Sequence, residues 1–463
     1  MPIFFMCSSR MNNRLRPRSQ WHSVWFFAGI KRVPALVFAL VLGLLLALTL
    51  AALVVWMPGL YHRCVNAMPV NRDASLGRRA EVIHWWTAGG ESAAVKSLAD
   101  AYQAAGGIWV DTAVAIGEQA KAVAWNRMTG GNPPTATQLN SGKQFIEMAG
   151  QHLLNNIDLV AQRDRWDSFL PEAILDSIRY QGHYFSVPVD IHMPAWIWYS
   201  KAAFKKAGIA SEPTTMQELF ADLDKLNAAG LIPLAHGGQS WQDMIVFSAV
   251  LSNFGGRELY LKVLRDRDKN TILSSDFKNV LLTYKRLKSY VDKGSPGRNW
   301  NDSTSLLISG KAGIQIMGDW AKGEFSIAGK KPEQDYGCIP GFGDDSLYII
   351  QDDVFVFPRT NDPDQIEAQY LLARVITSPA TQVEFSALKG SIPIRTDVDA
   401  SKLDVCAQKG VRIMKDKSRQ IGNAEIYLTP DQYGALEDAL TSYWNSNLSV
   451  EKAQKSIVAA LSD

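Results

Sequence analysis

The sequence has few cysteines and lacks the short motifs of the common catalytic centres. Only four cysteines occur among 463 residues, none lies in a Cys-x-x-Cys pair, and neither Cys338 nor Cys406 has a histidine beside it. These absences argue against a structural zinc site. The His-Glu-x-x-His, Gly-x-Ser-x-Gly, P-loop and Gly-x-Gly-x-x-Gly motifs are also missing. We therefore expect no metal, no cofactor and no phosphate chemistry.

Two alternatives remain for Cys338 and Cys406, a disulfide and a pair of separate thiols. An oxidising compartment would allow the two side chains to form one disulfide. Two unreacted cysteines, each buried as a small apolar residue, fit the sequence nearly as well. Of these alternatives we predict the disulfide.

Acidic residues are absent from the first 63 positions, which carry seven arginines or lysines. Removing those seven from the 48 basic residues leaves 41 against 46 acidic residues on the rest of the chain. Such a mildly acidic remainder predicts no nucleic-acid surface. Within the basic segment, residues 33–57 are uncharged and apolar over a length that spans a bilayer as one helix. Basic residues ahead of this run place the N-terminus in the cytoplasm and the chain after it outside.

We therefore divide the N-terminal region into a cytoplasmic segment (1–32), a transmembrane anchor or uncleaved signal helix (33–57) and a linker (58–79). A cleaved signal peptide is the alternative, although its apolar core is usually shorter, about 7–15 residues. Val65-Asn66-Ala67 offers a small-residue cleavage site, and a true start at Met11 or later would favour cleavage. We expect an uncleaved anchor and a periplasmic body.

From Ala80 onward, short apolar strands alternate with amphipathic helices. This alternation predicts an α/β fold with a parallel sheet. Strands and helices begin to alternate again near Trp196, which predicts a second lobe of the same architecture. No internal repeat, coiled coil or low-complexity segment interrupts it. Strands are predicted ahead of Trp85 and at 108–115, 136–139, 196–199, 232–236, 312–317 and 354–358, and helices at 91–105, 118–128, 215–229, 241–253, 275–291 and 364–376.

Aromatic and acidic side chains lie at the ends of predicted strands. Trp85 and Trp86 follow the first strand, whereas Asp319 and Trp320 follow strand 312–317. Ligands of open α/β sheets bind beyond the carboxyl ends of the strands. An indole stacks on the apolar face of a sugar ring, and carboxylates accept hydrogen bonds from its hydroxyls. The pattern therefore predicts a sugar-binding site.

The same residues permit other interpretations. Successive side chains of a strand face opposite ways, so either Trp85 or Trp86 could be a core residue. Asp319 and the pair Asp352-Asp353 could be solvated turn residues. If they lie about 5–10 Å apart, they could instead be the acid and nucleophile of a glycosidase. The residues alone leave these alternatives open.

Several motifs, taken in order, resemble those of the extracellular solute-binding proteins of bacterial sugar ABC transporters, and most closely those of the glucose-type monosaccharide-binding members. Their order and spacing agree across roughly 300 residues. The matching residues are Trp85-Trp86 with Glu91, Gly130-Gly131-Asn132-Pro133-Pro134 ahead of Gln138, Tyr180-Gln181-Gly182 with Ser186-Val187-Pro188-Val189, Ile191-His192 with Trp198-Tyr199, Gly310-Lys311-Ala312-Gly313, Met317-Gly318-Asp319-Trp320, Asp353 ahead of Pro358, and Lys389-Gly390-Ser391-Ile392-Pro393.

The resemblance implies a periplasmic-binding-protein fold, in which two α/β lobes joined by hinge strands close over one sugar. It places the first lobe at about 80–188 and 346–390, and the second at about 189–345 and 391–463. The protein would be a monomeric, non-enzymatic receptor that delivers its sugar to a membrane permease. The implied ligand contacts are Trp85, Trp86, Glu91, Gln138 and Asn140, together with Trp241, Trp320, Asp353 and Lys389.

Two positions depart from the glucose-type pattern. Asn140 and a residue near Glu425 stand where those relatives carry histidines, so the resemblance implies a monosaccharide or small oligosaccharide without fixing glucose. A membrane-tethered carbohydrate hydrolase and a membrane-tethered sugar sensor are the alternative functions. The missing catalytic motifs argue against the hydrolase, and the segment before Val33 holds no signalling domain.

Overall fold

The computed structural model describes residues 78–343 and 346–462. The predicted cytoplasmic segment, the predicted membrane-spanning helix at 33–57 and nearly all of the linker lie outside these residues. Within the described part of the chain, no helix is both long and apolar enough to cross a bilayer. The described body is an α/β structure with two separate main sheets.

The strands and helices follow the predicted alternation. The strands are β1 (Arg79–His84), β2 (Ile108–Ala113), β3 (Ala136–Asn140), β4 (Arg179–Tyr180), β5 (His183–Tyr184), β6 (Ser186–His192), β7 (Trp196–Ser200), β8 (Ile232–Ala235), β9 (Ala312–Met317), β10 (Tyr336–Ile339), β11 (Tyr348–Val356) and β12 (Gln420–Gly422). The α-helices are α1 (Gly89–Ala104), α2 (Gly117–Thr129), α3 (Lys143–Gly150), α4 (Asp158–Arg163), α5 (Glu172–Ser177), α6 (Lys201–Lys206), α7 (Met216–Ala228), α8 (Ser240–Val250), α9 (Gly256–Leu264), α10 (Lys269–Ile272), α11 (Ser275–Leu287), α12 (Trp300–Ile308), α13 (Ala321–Ile327), α14 (Pro363–Ile376), α15 (Pro379–Lys389), α16 (Val405–Met414), α17 (Ala424–Tyr427), α18 (Pro430–Asn445) and α19 (Val450–Ala460).

Local sequence signals explain several of these boundaries. Thr215 precedes α7, and its side chain accepts a hydrogen bond from the backbone N–H of Glu218 at 3.1 Å, as an N-cap does. Between β4 and β5, Gln181 and Gly182 both have positive φ, 51° and 82°, which matches the twist of a tight hairpin. The predicted start of this helix is therefore confirmed, and the turn at Gly182 joins β4 to β5 as a hairpin.

The first sheet has the strand order β12-β11-β3-β1-β2, and β6 also pairs with β11. β1 lies parallel to both β2 and β3, as the alternation of strands and helices predicts. β11 runs antiparallel to β3 and β6. The parallel arrangement predicted from this alternation is therefore confirmed for β1, β2 and β3, whereas β11 enters the sheet from the opposite direction.

The second sheet has the order β10-β7-β9-β8. Only β8 and β9 are parallel within it, whereas β7 pairs antiparallel with both β9 and β10. Trp196 and Trp198, two residues apart on β7, point to the same face and stack with ring centroids 5.6 Å apart. Both are buried in the main hydrophobic core.

The chain passes between the two sheets at short connections. β6 ends at His192 in the first sheet, and β7 begins at Trp196 in the second. Ile191 of β6 forms an antiparallel bridge to Ile392, which brings the segment after α15 to the same place. The predicted lobe boundaries remain a prediction. β12, at 420–422, pairs with β11 of the first sheet, although residues 391–463 were expected in the second lobe.

The strand predicted at 354–358 begins earlier, at Tyr348. Its middle contains Gln351-Asp352-Asp353, and such polar residues do not indicate a strand. Both aspartates are nevertheless buried. Asp352 and Asp353 therefore face the protein interior, where other side chains can form hydrogen bonds with them.

The disulfide predicted between Cys338 and Cys406 is confirmed. Cys338 lies on β10 and Cys406 on α16, with their Cα atoms 6.0 Å apart. The bond closes a sequence separation of 68 residues. It ties the C-terminal part of the chain to the edge of the second sheet.

Replacing both cysteines, Cys338→Ser with Cys406→Ser, should lower the free energy of unfolding by roughly 4 kcal/mol, because the unfolded chain regains the entropy that the closed loop removes. Urea unfolding of the variant and of the wild type with and without reductant measures this. The reduced wild type should match the double variant. Equal stability of all three samples would contradict a stabilising disulfide.

Candidate functional site

A buried histidine at the end of β6 is surrounded by carboxylates. His192 donates from Nδ1 to Asp319, and its Nε2 lies 3.0 Å from Asp353 Oδ2 and 3.0 Å from Asp190 Oδ2. The ring is 1 % exposed. Burial disfavours the charged imidazolium, but Asp190 and Asp319 outweigh it and raise the pKa of His192 well above its ordinary value. The surrounding carboxylates therefore favour the protonated, cationic ring of His192.

Lys389, the last residue of α15, brings a second cation to the same place. Its Nζ lies 3.5 Å from Glu91 Oε1, 3.8 Å from Asp353 Oδ2 and 3.3 Å from His192 Nε2. Burial lowers the pKa of Lys389, but Glu91 and Asp353 outweigh it and raise the pKa above its usual value. Asp353 therefore lies between two cations. We call His192, Lys389, Asp190, Asp319, Asp353 and Glu91 the His192 network.

Glu91 and Asp353 have opposite pKa shifts within this network. Burial raises the pKa of Glu91 although Lys389 opposes this. Burial acts in the same sense on Asp353, but the His192 hydrogen bond and the Lys389 charge outweigh it, so the pKa of Asp353 is lowered. Gln138 Nε2 donates to Asp353 Oδ1 at 3.2 Å, and Gln138 Oε1 accepts from the backbone N–H of Trp85 at 3.0 Å. Gln138 thus connects the end of β1 to β11.

Four tryptophans border the network, in two kinds of environment. Trp85, Trp241 and Trp320 are half-buried, and Trp320 packs edge-on against His192 with centroids 5.3 Å apart. Trp86 is 1 % exposed and packs against two phenylalanines. Trp86 therefore has the surroundings of a core residue, which the alternation of strand side chains allows. Its contact with a ligand stays a prediction.

A second set of charged residues lies beside Trp85. Asn140 Nδ2 donates to both carboxylate oxygens of Glu425, at 3.1 and 2.9 Å. Lys121 lies 5.7 Å from the centre of the Trp85 ring and 2.7 Å from Glu118 Oε1. The two positions that depart from the glucose-type pattern therefore contact each other. We call Lys121, Glu118, Asn140, Glu425 and Glu437 the Lys121 group.

The charged residues of the Lys121 group influence one another's pKa values. Burial lowers the pKa of Lys121, but Glu425 and Glu118 outweigh it and raise the pKa. Burial raises the pKa of Glu425 although Lys121 opposes this. Burial likewise raises the pKa of Glu437, which accepts a hydrogen bond from Ser240. The group thus carries more carboxylates than cations.

The nine predicted ligand contacts lie in one connected region. Glu91, Asp353 and Lys389 belong to the His192 network, and Asn140 belongs to the Lys121 group. Gln138 bonds to Asp353 and to the backbone of Trp85. The Lys389 ammonium lies 5.6 Å from the rings of Trp86 and Trp320. Trp241 in turn lies 6.3 Å from Trp320. Ligand binding by these nine residues remains a prediction.

Several residues of the site were not among those nine. His192 and Asp319 lie in motifs that carry the resemblance, so sequence could have drawn attention to them. Asp190 gave no such signal, because an aspartate within an apolar strand usually indicates a turn or an edge. The pairing of Glu425 with Asn140 spans 285 residues, so no local pattern could indicate it.

Asp190, His192 and Asp353 present possible metal-ligand atoms within 4.8 Å of one another. A metal ligand needs a neutral imidazole nitrogen. Here the carboxylates favour the doubly protonated ring, and the Lys389 ammonium lies 3.3 Å from Nε2. The arrangement suits a network of charged hydrogen bonds better than a metal centre.

Asp352 lies beside Asp353 on β11 but outside the His192 network. It accepts hydrogen bonds from Ser141 and, at 3.0 Å, from Ser177 Oγ. Burial raises the pKa of Asp352 to about 7, although these two hydroxyls oppose the change. Both partners are neutral hydroxyls, so this carboxyl group is protonated through much of the acidic range.

The family of bacterial extracellular solute-binding proteins matches residues 88–382. This chain belongs to that family. A "Probable sugar-binding periplasmic protein" of Brucella suis is 39 % identical to this solute-binding protein over 396 residues, which are 84 % of this chain and 93 % of the relative. A protein of the same name from Rhizobium meliloti is 38 % identical over 395 residues, 84 % and 94 % of the two chains.

A solved structure agrees with the fold of this solute-binding protein. The bacterial solute receptor AcbH, described as preferring β-D-galactopyranose, superposes with a TM-score of 0.70 at 18 % identity. The match covers 82 % of this chain and 97 % of AcbH. At that identity the likeness establishes the fold and not the ligand. The predicted two-lobed fold class is thereby confirmed.

Replacing the buried imidazolium, His192→Ala, should destabilise the protein by about 3–5 kcal/mol, because three carboxylates then lose their shared cation. The pKa of His192 is higher in the folded state than in the unfolded state. The stabilisation that the protonated ring provides is therefore complete below the unfolded-state pKa, and it is lost as the pH rises through the folded-state pKa. Chemical unfolding at several pH values measures both effects. The control is His183→Ala, an exposed histidine that bonds to Asp158, which should cost less than about 1 kcal/mol.

Asp352→Asn should flatten the pH dependence of stability between about pH 4 and pH 7. An unfolded aspartate ionises near 3.9, whereas the folded state keeps its proton until about 7. The stability of the wild type should therefore fall as the pH rises from about 4 to about 7. The melting temperature of the variant minus that of the wild type should rise over the same range and stay constant above pH 7. Asp100→Asn, on the exposed face of α1, is the control. Parallel melting curves for all three proteins would refute the role of Asp352.

Proposed function

We propose that this protein is the sugar-binding receptor of an ABC importer and that it acts outside the cytoplasm without catalysing a reaction. The observation that carries the proposal is the position of the His192 network among half-buried tryptophans, where the two sheets meet. The Trp320 ring lies 5.6 Å from the Lys389 ammonium, and Trp85 is linked to Asp353 through Gln138. That is the composition needed by a flat ring covered with hydroxyls.

The network supplies both kinds of hydrogen-bonding partner. Glu91 and Asp353 accept hydrogen bonds from hydroxyls, and Lys389 donates to hydroxyl oxygens. These groups are buried and hold one another in place, so little ordering remains to be done when a ligand arrives. The names of the relatives from Brucella suis and Rhizobium meliloti support a sugar as the ligand.

The remaining parts of the proposal concern partners and location. We propose that the loaded receptor docks as a monomer on a membrane permease and that residues 33–57 hold it at the inner membrane. The uncharged length of this segment supports an anchor. The nine predicted ligand contacts belong to this proposal, with a monosaccharide or small oligosaccharide as the cargo.

One observation suits a carbohydrate hydrolase instead. Glu91 has a raised pKa and Asp353 a lowered one, as the acid and the nucleophile of a glycosidase would. Lys389, however, forms ion pairs with both carboxylates, so neither is free to act alone as the acid or the nucleophile. We expect no release of nitrophenol from a series of nitrophenyl glycosides.

A panel of hexoses, pentoses and disaccharides should identify at least one sugar that raises the melting temperature of the purified full-length protein, because a ligand that binds only the folded state stabilises it. The shift should grow with sugar concentration. Calorimetric titration of that sugar then gives the affinity. A panel without any shift, or measurable glycoside turnover, would overturn the proposal.

The same titration locates the site. Trp85→Ala should weaken binding about thirtyfold, which corresponds to the roughly 2 kcal/mol expected for a lost stacking face. Trp125→Ala is the matched control, since Trp125 lies 40 % exposed on α2 and contributes to neither charged group. Equal affinities of the two variants would place the sugar elsewhere.

A further inference from the structure

Three helix ends meet between the two sheets without side chains to separate them. A Cβ on Gly90, at the start of α1, would lie 2.6 Å from the Cα of Gly323 on α13. A Cβ on Gly323 would lie 2.8 Å from the carbonyl oxygen of Leu388, near the end of α15. Any residue larger than glycine would push a helix aside at either position. The backbones of α1, α13 and α15 are therefore in direct contact.

Glu324 of α13 supplies a hydrogen bond that α1 does not make for itself. The first N–H groups of a helix have no acceptor within that helix. The residue before α1 is Ala88, whose methyl group cannot accept a hydrogen bond as an N-cap side chain does. Glu324 Oε1 instead accepts the N–H of Gly90 at 2.8 Å, and its charge is favourable at a helix N-terminus. Glu324 therefore caps α1 from a helix that follows a strand of the other sheet.

The start of α13 is itself fixed to the elements around the second sheet. Lys322 Nζ lies 2.7 Å from Asp404 Oδ2, and only 2 % of the Lys322 side chain is exposed. Asp404 accepts the N–H of Ala407 at 2.9 Å, so it caps α16, the helix that the disulfide ties to β10. Glu324 therefore projects from a base that is connected to the second sheet.

The residues next to this contact are proposed sugar contacts. Glu91 follows Gly90 directly, and its carboxylate lies 3.5 Å from Lys389 Nζ. Trp320 directly precedes α13. α1 brings Glu91 to the site from the first sheet, and the turn before α13 brings Trp320 to it from the second. The hydrogen bond between Glu324 and Gly90 thus joins two walls of the proposed site.

Resting on the function proposed above, we propose that Glu324 is a latch: it holds the start of α1 against α13 while a sugar is bound, and so slows the release of that sugar. A sugar enclosed between two walls leaves when the walls separate. A bond that forms only when the walls are together favours the enclosed state. Glu324 is a positioning residue in this sense, because it acts on the sugar through Gly90 and α1.

Stopped-flow measurements with the tightest-binding sugar of the panel test the latch, because they separate association from dissociation. Glu324→Ala should raise the dissociation rate constant about tenfold. The association rate constant should stay within about twofold of wild type. Glu324→Gln keeps an oxygen that can accept the Gly90 N–H but loses the charge, so it should raise the dissociation rate constant only about threefold. An unchanged dissociation rate in Glu324→Ala, or a loss of affinity caused by slower association, would overturn the inference.

Glu218→Ala is the matched control. Glu218 accepts the N–H of Thr214 at 2.7 Å, so it also serves the start of a helix, but from within that helix, α7. Its removal should lower the melting temperature and change neither rate constant by more than about twofold. Equal effects of Glu218→Ala and Glu324→Ala on dissociation would show that loss of a helix cap, and not loss of contact between the two walls, speeds sugar release.

Hydrogen exchange of the full-length protein shows whether the contact tightens with sugar. A saturating sugar concentration should slow amide exchange in the first turn of α1 in the wild type, and by a smaller factor in Glu324→Ala. The same protection in both proteins would overturn the inference and leave the proposed function intact. A protein that binds no sugar of the panel would instead overturn the proposed function, and with it the role of Glu324 in sugar release.

Discussion

The charged interaction around His192 is the constraint on which the rest of the site depends. Placing an imidazolium, an ammonium and four carboxylates out of water costs several kcal/mol per ion unless each finds partners. Those partners come from β6, β11, α1, α15 and the turn after β9, so the network can exist only when all these elements are in position. A network of this kind fixes one arrangement of the chain more than it adds stability.

The start of α1 shows how closely the elements around the network must approach. A Cβ on Gly90 would lie 2.6 Å from the Cα of Gly323 on α13, and the Gly90 N–H donates to Glu324 Oε1 at 2.8 Å. α1 follows a strand of the first sheet, whereas α13 follows a strand of the second. Glu91 is the next residue, so the contact between glycines also brings its carboxylate to Lys389.

The fold could be predicted well because its signals are local. Apolar runs, caps and glycine turns indicated seven strands and six helices, all of which the structure contains, and Thr215 and Gly182 lie where their chemistry requires them. Less could be predicted for β11, whose buried aspartates look like turn residues. Strand direction in the sheets was also beyond local patterns, because it depends on how the chain returns from one sheet to the other.

The sequence by itself determined the α/β class, the family resemblance and the choice of tryptophans and carboxylates at strand ends, since these depend on residue type and short spacing. Only the tertiary structure decided that Trp86 packs as a core residue while Trp85 stays half-buried. It also decided that His192 lies among three carboxylates and that Asn140 holds Glu425, a residue 285 positions away. These outcomes depend on burial and on distances between charges, and both exist only after the two sheets have come together.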